Sequence, residues 1–171
     1  MAAVPISVDV GPAKVVPIIL CRVEGEPYGL PLATVERVLP MVELRRLPSA
    51  PVFLAGVIDY HGEVVPVVDL RVRFGLASRA PEVTQRLLLL QTSRRKLALL
   101  VDAVEGLREL PGERVVAPEA LDTGLRGVAG VAALEDGVVI VQDVEALLSS
   151  EEERAVQQAI DRAAEGTGHA A

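Results

Sequence analysis

Asp69 and Asp143 come closest to suggesting chemistry, because they hold equivalent positions in two similar halves of the 171-residue chain. Two carboxylates brought together in that way can share a proton and activate water. Enzymes of that design place a small hydroxyl residue and a glycine directly after each aspartate, so that backbone N–H groups meet the carboxylates. Leu70-Arg71 and Val144-Glu145 stand there instead. Helix N-capping, in which the carboxylate accepts the free N–H groups of a first helical turn, accounts for both aspartates. Metal binding lacks ligands, since His61 and His169 are the two histidines and Cys21 is the one cysteine. Cys21 lies in an apolar run and reads as a buried strand residue with no disulfide partner. Gly127-Val128-Ala129-Gly130 has neither the lysine nor the spacing of a phosphate-cradling loop. The residues therefore predict a protein that is not an enzyme and has no cofactor or metal site.

The stretch that positions Asp69 is the most structured in the sequence. Gly56 to Asp69 is apolar on both sides of a Tyr60-His61-Gly62 tip, which predicts a hairpin with Gly62 supplying the positive φ of a tight turn. Asp69 then caps a short turn over Leu70 to Phe74 that Gly75 ends. Pro66 cannot donate to a strand ladder, so an edge or a bulge is expected at that point. His61 at the tip reads either as a solvated turn residue or as a contact residue whose ring reaches a partner.

Composition narrows the classes of function. Half of the residues are hydrophobic, the mean hydropathy is +0.38, and aromatics make up only 2%, so Val, Leu, Ile and Ala must fill the core, a mixture that favours strands. A net charge of −7 and the scarcity of aromatics oppose binding to nucleic acid, which needs clustered cations and stacking rings. The N-terminus lacks the pattern of a signal peptide, and no apolar run approaches the ~20 residues of a membrane helix. A cytoplasmic protein without direct membrane insertion is expected.

Internal repetition sets the organisation. Val35-Glu36 returns as Val104-Glu105 at a spacing of 69 residues, and Gly56-Val57 with Asp69 returns as Gly130-Val131 with Asp143 at a spacing of 74. A longer loop at Pro111 to Gly127 absorbs the difference, and the second hairpin is tipped by Glu135-Asp136-Gly137. Two small β units of about five strands each follow, with short strands favouring barrels over an open sheet. The expected boundaries are a flexible arm over residues 1–15, in which Ile6 to Val10 can add an edge strand, a first barrel over 16–80 and a second over 81–148. A C-terminal helix over 149–165, opened by a Ser150/Glu153 capping box, and a disordered tail over 166–171 complete the chain.

The run Gly56-Val57-Ile58-Asp59-Tyr60-His61-Gly62-Glu63-Val64-Val65-Pro66-Val67-Val68-Asp69-Leu70 resembles the signature hairpin of CheW-like chemotaxis coupling proteins. Tyr28-Gly29-Leu30 with Val35, the Pro48 to Phe53 approach, Leu99-Leu100-Val101-Asp102 with Val104, and Val141 to Ser150 recur in the same order, so the resemblance spans roughly residues 16–160. It implies an all-β fold with a C-terminal helix, built as two intertwined five-stranded SH3-like barrels. It also implies a non-enzymatic adaptor that joins the regulatory domain of a CheA-type histidine kinase to the cytoplasmic tip of a methyl-accepting chemoreceptor, in arrays at the inner membrane. Carried over by position, the kinase side falls on Leu32 and Val35. The receptor side falls on Gly56, His61, Leu87, Ala98, Val104 and Leu107. Two positions depart from the family pattern: the tip commonly reads Asn-Leu-Arg-Gly where Asp59-Tyr60-His61-Gly62 stands here, and Arg37 replaces a usual glutamate. An adaptor for another kinase pathway, such as surface sensing or motility control, is the alternative.

Overall fold

A computed structural model describes residues 15–116, 127–135 and 137–168, without the side chains of 166–168. These residues form eleven strands: β1 (Val15–Val23), β2 (Glu26–Pro31), β3 (Val35–Pro40), β4 (Leu54–Tyr60), β5 (Glu63–Asp69), β6 (Arg86–Gln91), β7 (Lys96–Val101), β8 (Ala103–Pro111), β9 (Val115–Val116), β10 (Val128–Leu134) and β11 (Gly137–Gln142). Helix α1 (Leu70–Arg73) follows β5, and α2 (Ser150–Gly168) ends the described chain. One sheet has the order β3-β6-β7-β5-β4, the other β8-β1-β2-β11-β10-β9.

The strand order follows the internal repeat. Shifting β1, β2 and β3 by 69 residues gives β6, β7 and β8, and shifting β4 and β5 by 74 gives β10 and β11. Both halves have the same pairings, including a parallel contact of β5 with β7 that is matched by β11 with β2. Bulges repeat as well: Glu36 is skipped in the β3–β6 ladder and Glu105 in the β8–β1 ladder, while Ala55 and Ala129 are skipped in the two signature hairpins. The expected division at residue 80 requires correction. The β1–β2 hairpin is built into the sheet of the second half, and the β6–β7 hairpin into the sheet of the first, so each barrel contains a hairpin from the other half.

Exchange explains why these hairpins are apolar on both faces. Ile18 and Leu20 point into the interior of the second barrel with Val139 and Val141, whereas Ile19, Cys21 and Val23 point the other way. In the other hairpin Leu87, Leu89, Ala98 and Leu100 fill the first barrel, and Leu88, Leu90, Leu97 and Leu99 face outward from it. The outward faces of the two hairpins meet in one shared core, joined by Val144, Leu147 and Val156. A strand buried on both faces reads as a continuous hydrophobic run instead of alternating. Cys21 lies in this shared core, and burial pushes its thiol up to about 12, so it behaves as a small hydrophobe.

Local chemistry fixes the ends of the elements. Asp69 accepts the Arg71 N–H at 3.0 Å and Asp143 accepts the Glu145 N–H at 3.1 Å, which makes both aspartates caps. Burial raises the Asp69 carboxyl above its ordinary value, against the lowering effect of the Arg71 and Val72 N–H groups. Pro66 stands at a local edge of β5, in a strand that is interior to the sheet farther along. β5 lies between β7 and β4, and its parallel ladder with β7 starts at Val67, one residue past the missing donor. The capping box of α2 sits one residue earlier than expected, with Ser149 N–H donating to Glu152 at 2.8 Å and Glu152 N–H donating to the Ser149 hydroxyl at 3.1 Å. Helix α2 also continues past the expected end at 165. The candidate strand Ile6 to Val10, most of the loop between Pro111 and Gly127, and residues 169–171 lie outside the described residues.

Glu152 ties α2 to the first barrel through two bonds from Arg73, at 2.7 and 2.9 Å. Partial burial alone would raise the Glu152 carboxyl. The Arg73 guanidinium and the Ser149 N–H and hydroxyl outweigh it and hold the group below the ordinary glutamate value of 4.5. A depressed carboxylate contributes stability that is complete above its unfolded pKa and is lost as pH falls through the folded one. Glu152→Gln is therefore expected to lower Tm at pH 7, with a gap from the parent that narrows as pH drops below about 4.5, measured by thermal melts from pH 7 to 3.

Candidate functional site

The two residues expected on the kinase side, Leu32 and Val35, sit where the chain crosses from one sheet to the other. Pro31 ends β2 and cannot extend the ladder, residues 32–34 form one 3-10 turn, and Val35 opens β3. Thr34 closes the turn by donating its hydroxyl to the Pro31 carbonyl at 2.7 Å. Leu32 is 38% exposed, and Val35 is half-buried against the shared core. β3 is an edge strand, so its outer face and outer backbone are open to a partner.

The second crossing, at Asp102, leads into β8, which is the edge strand of the other sheet. Val104 is half-buried against the shared core, as Val35 is, and Leu107 is 56% exposed. Val35 and Val104 are equivalents in the repeat, and each precedes the bulged glutamate of its strand. Leu107 has its own equivalent in Val38, which is 42% exposed on β3. Val38 is not among the residues that the family resemblance points to, although the 69-residue offset marks it.

The other residues expected on the receptor side separate by burial. His61 and Gly62 both have positive φ, 52° and 86°, the geometry of a type I′ hairpin turn. Asp59 accepts the Gly62 N–H at 2.8 Å, and the His61 ring stands edge-on to Tyr60 with centroids 4.4 Å apart. These contacts hold the exposed imidazole at the tip. Close by, Lys96 donates to the Glu36 carboxylate at 2.7 and 2.9 Å, and its pKa is raised chiefly by that bond, with Glu63 and Tyr60 adding to it. The tip also borders a groove of about 390 Å³ lined by Val57, Val64 and Ile160 among others. Gly56 is buried, and a Cβ there would come within 2.7 Å of the Arg45 carbonyl oxygen, so glycine permits the bridge between Arg45 and Val57. Leu87 and Ala98 are fully buried inside the first barrel and present no surface. Their place in the candidate set is that of support under the strands, while His61, Val104 and Leu107 are accessible. Val104 and Leu107 belong to one barrel and His61 and Gly56 to the other.

Comparison with known proteins agrees with this architecture. The model of the CheW-like domain matches residues 17–152. The chain is similar to the chemotaxis protein CheW of Klebsiella aerogenes, 31% identical over 130 residues that cover 75% of this chain and 78% of that one. It is also similar to the chemotaxis protein CheA of Salmonella typhimurium, 35% identical over 148 residues, 81% of this chain but 20% of the larger protein. Among solved structures, the scaffolding protein TtCheW from Thermoanaerobacter tengcongensis superposes with a TM-score of 0.73 at 27% identity, covering 80% of this chain and 94% of that one. With a domain match over most of its length, the same fold in a solved relative and the signature hairpin in place, the chain belongs to the CheW-like domain family.

Proposed function

We propose that the protein is a non-enzymatic scaffold that couples chemoreceptors to a CheA-type histidine kinase, using a separate surface for each partner. The observation that carries this reading is the pair of repeat-related edge strands, β3 with Leu32, Val35 and Val38 beside it, and β8 with Val104 and Leu107. One compact body thereby offers two separate half-apolar strips, each with an exposed aliphatic residue able to anchor an interface. The kinase's regulatory domain takes the β3 side, and the receptor tip takes β8 together with the His61 turn. No helix among the described residues is long and apolar enough to cross a membrane, and the protein acts in the cytoplasm, held at receptor arrays by its partners. Calorimetric titration with the regulatory domain of the same organism's CheA-type kinase tests the reading. Binding with 1:1 stoichiometry is expected, and neither heat nor co-elution at tens of micromolar would overturn it.

The tip offers a way to separate the two surfaces. His61→Asn keeps the turn, because Asn-Gly is a preferred pair for a type I′ hairpin, and removes the ring. Receptor binding is expected to fall while kinase affinity stays within about 0.5 kcal/mol of the parent, the range in which sites without shared partners act independently. Co-sedimentation with receptor-bearing nanodiscs and a parallel kinase titration check this. Equal losses for both partners would mean that the surfaces overlap. The unusual Asp59-Tyr60-His61-Gly62 tip also favours a second reading, a scaffold of the same fold serving a kinase pathway for surface sensing or motility control.

A further inference from the structure

Each exchanged hairpin is gripped at its turn by the barrel on the other side, and the two grips are related by the internal repeat. In the β1–β2 turn, Glu24 pairs with Arg71 of α1, a side chain that is 3% exposed. In the β6–β7 turn, Ser93 donates its N–H and hydroxyl to the Glu145 carboxylate, at 2.8 and 2.7 Å. Glu24 and Ser93 correspond at the 69-residue offset, and Arg71 and Glu145 correspond at the 74-residue offset. Both gripping residues also give their backbone N–H to the cap aspartate two positions earlier, which fixes the backbone from which each side chain reaches. The two aspartates that looked like a catalytic pair thus aim the grips.

Neighbouring contacts reinforce the same two places. Asp102, at the second crossing, accepts the Glu24 N–H at 2.8 Å. Around the other turn, Arg95 lies 3.1 Å from Glu153 in an ion pair not aligned as a hydrogen bond, and it donates to Gln157 at 2.6 Å. Between the grips lies the shared core, whose aliphatic contacts hold the barrels together but are non-directional and set their mutual angle only weakly. Directional polar contacts at both ends of that core define the angle. The chain passes between barrels at residues 32–34 and at Asp102, immediately before the two candidate contact strands. A rotation of one barrel on the other therefore displaces β3 relative to β8.

We propose that Glu24, Arg71, Ser93 and Glu145 are positioning residues that fix the angle between the barrels, and that this angle transmits receptor engagement across β8 and the His61 turn to the kinase on β3. The transmission half of the proposal rests on the scaffold function proposed above. The positioning half does not.

The test compares the parent with Glu24→Gln/Glu145→Ala, using nitroxide labels on Val64→Cys and Val138→Cys. These positions are 51% and 57% exposed on different barrels, and the native Cys21 is buried away from the label. Pulsed dipolar spectroscopy is expected to give one narrow distance in the parent and a distribution about twice as wide in the double variant, as a second orientation becomes populated. Affinity for the kinase alone should stay within about twofold, because β3 lies on a single barrel, while receptor-dependent kinase activity in the three-component mixture at saturating receptor falls at least about fivefold, the lower end of typical coupling between sites. Ser93→Thr, which keeps the hydroxyl, should behave as the parent, whereas Ser93→Ala should move toward the double variant. Should the double variant not fold, Glu145→Ala alone carries the same comparison, because its side chain is exposed. An unchanged distance distribution overturns the positioning role. A widened distribution with full receptor-dependent activity overturns the transmission. Failure of the parent to bind either partner overturns the scaffold reading and the transmission with it, while the distances still decide the positioning role.

Discussion

Leu32→Glu is expected to weaken binding to the kinase's regulatory domain by about 2 kcal/mol or more, a factor of roughly 30, with the fold intact. The free protein tolerates the change because Leu32 is 38% exposed on a surface turn, where a carboxylate remains hydrated. In the complex the same carboxylate would be desolvated without a partner, and an unpaired charge inside an interface is costly. The backbone of the turn does not depend on the leucine side chain, since Thr34 and Pro31 close it. Calorimetry against the regulatory domain, with circular dichroism as the fold control, measures the effect. Unchanged affinity would move the kinase interface off this turn.

Leu87→Ala is expected to lower stability by about 2–5 kcal/mol, the range for removing a fully buried leucine side chain, whereas Leu107→Ala should leave it within about 0.5 kcal/mol. Leu87 is completely enclosed in the first barrel with Leu89, Ala98 and Leu100, and Leu107 is 56% exposed on β8. For receptor binding the contrast is reversed. Leu107→Ala should weaken it directly. Leu87→Ala should do so only in proportion to the protein it unfolds, so that receptor affinity of the folded fraction is preserved. Urea unfolding of both variants, set beside co-sedimentation with receptor-bearing nanodiscs, separates the cases. A stable Leu87→Ala variant that fails to bind receptor would place this residue in the interface after all, through a rearrangement of the first barrel.

Much of this architecture is legible in the chain because the repeat is. The offsets of 69 and 74 residues mark equivalent strands, and the structure adds equivalent bulges at Glu36 and Glu105 and equivalent caps at Asp69 and Asp143. The exchange of hairpins is not visible in those offsets. Similar segments can pair within their own half or with the other, and either choice satisfies the same local patterns. A weaker signal does point to it: Ile18 to Cys21 and Leu87 to Leu90 are apolar without alternation, as strands covered on both faces must be. Pro66 does indicate a locally open side, but not that β5 becomes interior one residue later, where its ladder with β7 begins. Ser149 and Ser150 both have a glutamate three residues on, and Arg73 decides for Glu152 from far away in sequence. Burial separates the candidate site residues for the same reason. Resemblance by position carries Leu87 and Ala98 alongside His61 and Leu107, but only tertiary packing tells which of them face solvent.

As proposed above, one small protein holds a kinase to a receptor through two distinct surfaces. Sedimentation of receptor-bearing membranes with the CheA-type kinase, in the presence and absence of this protein, measures it most directly. The kinase is expected to pellet with the membranes only when the protein is added, and Leu32→Glu is expected to leave the protein itself in the pellet while the kinase stays in the supernatant. Kinase retention that is independent of the protein, or loss of both proteins from the membranes with Leu32→Glu, would contradict it.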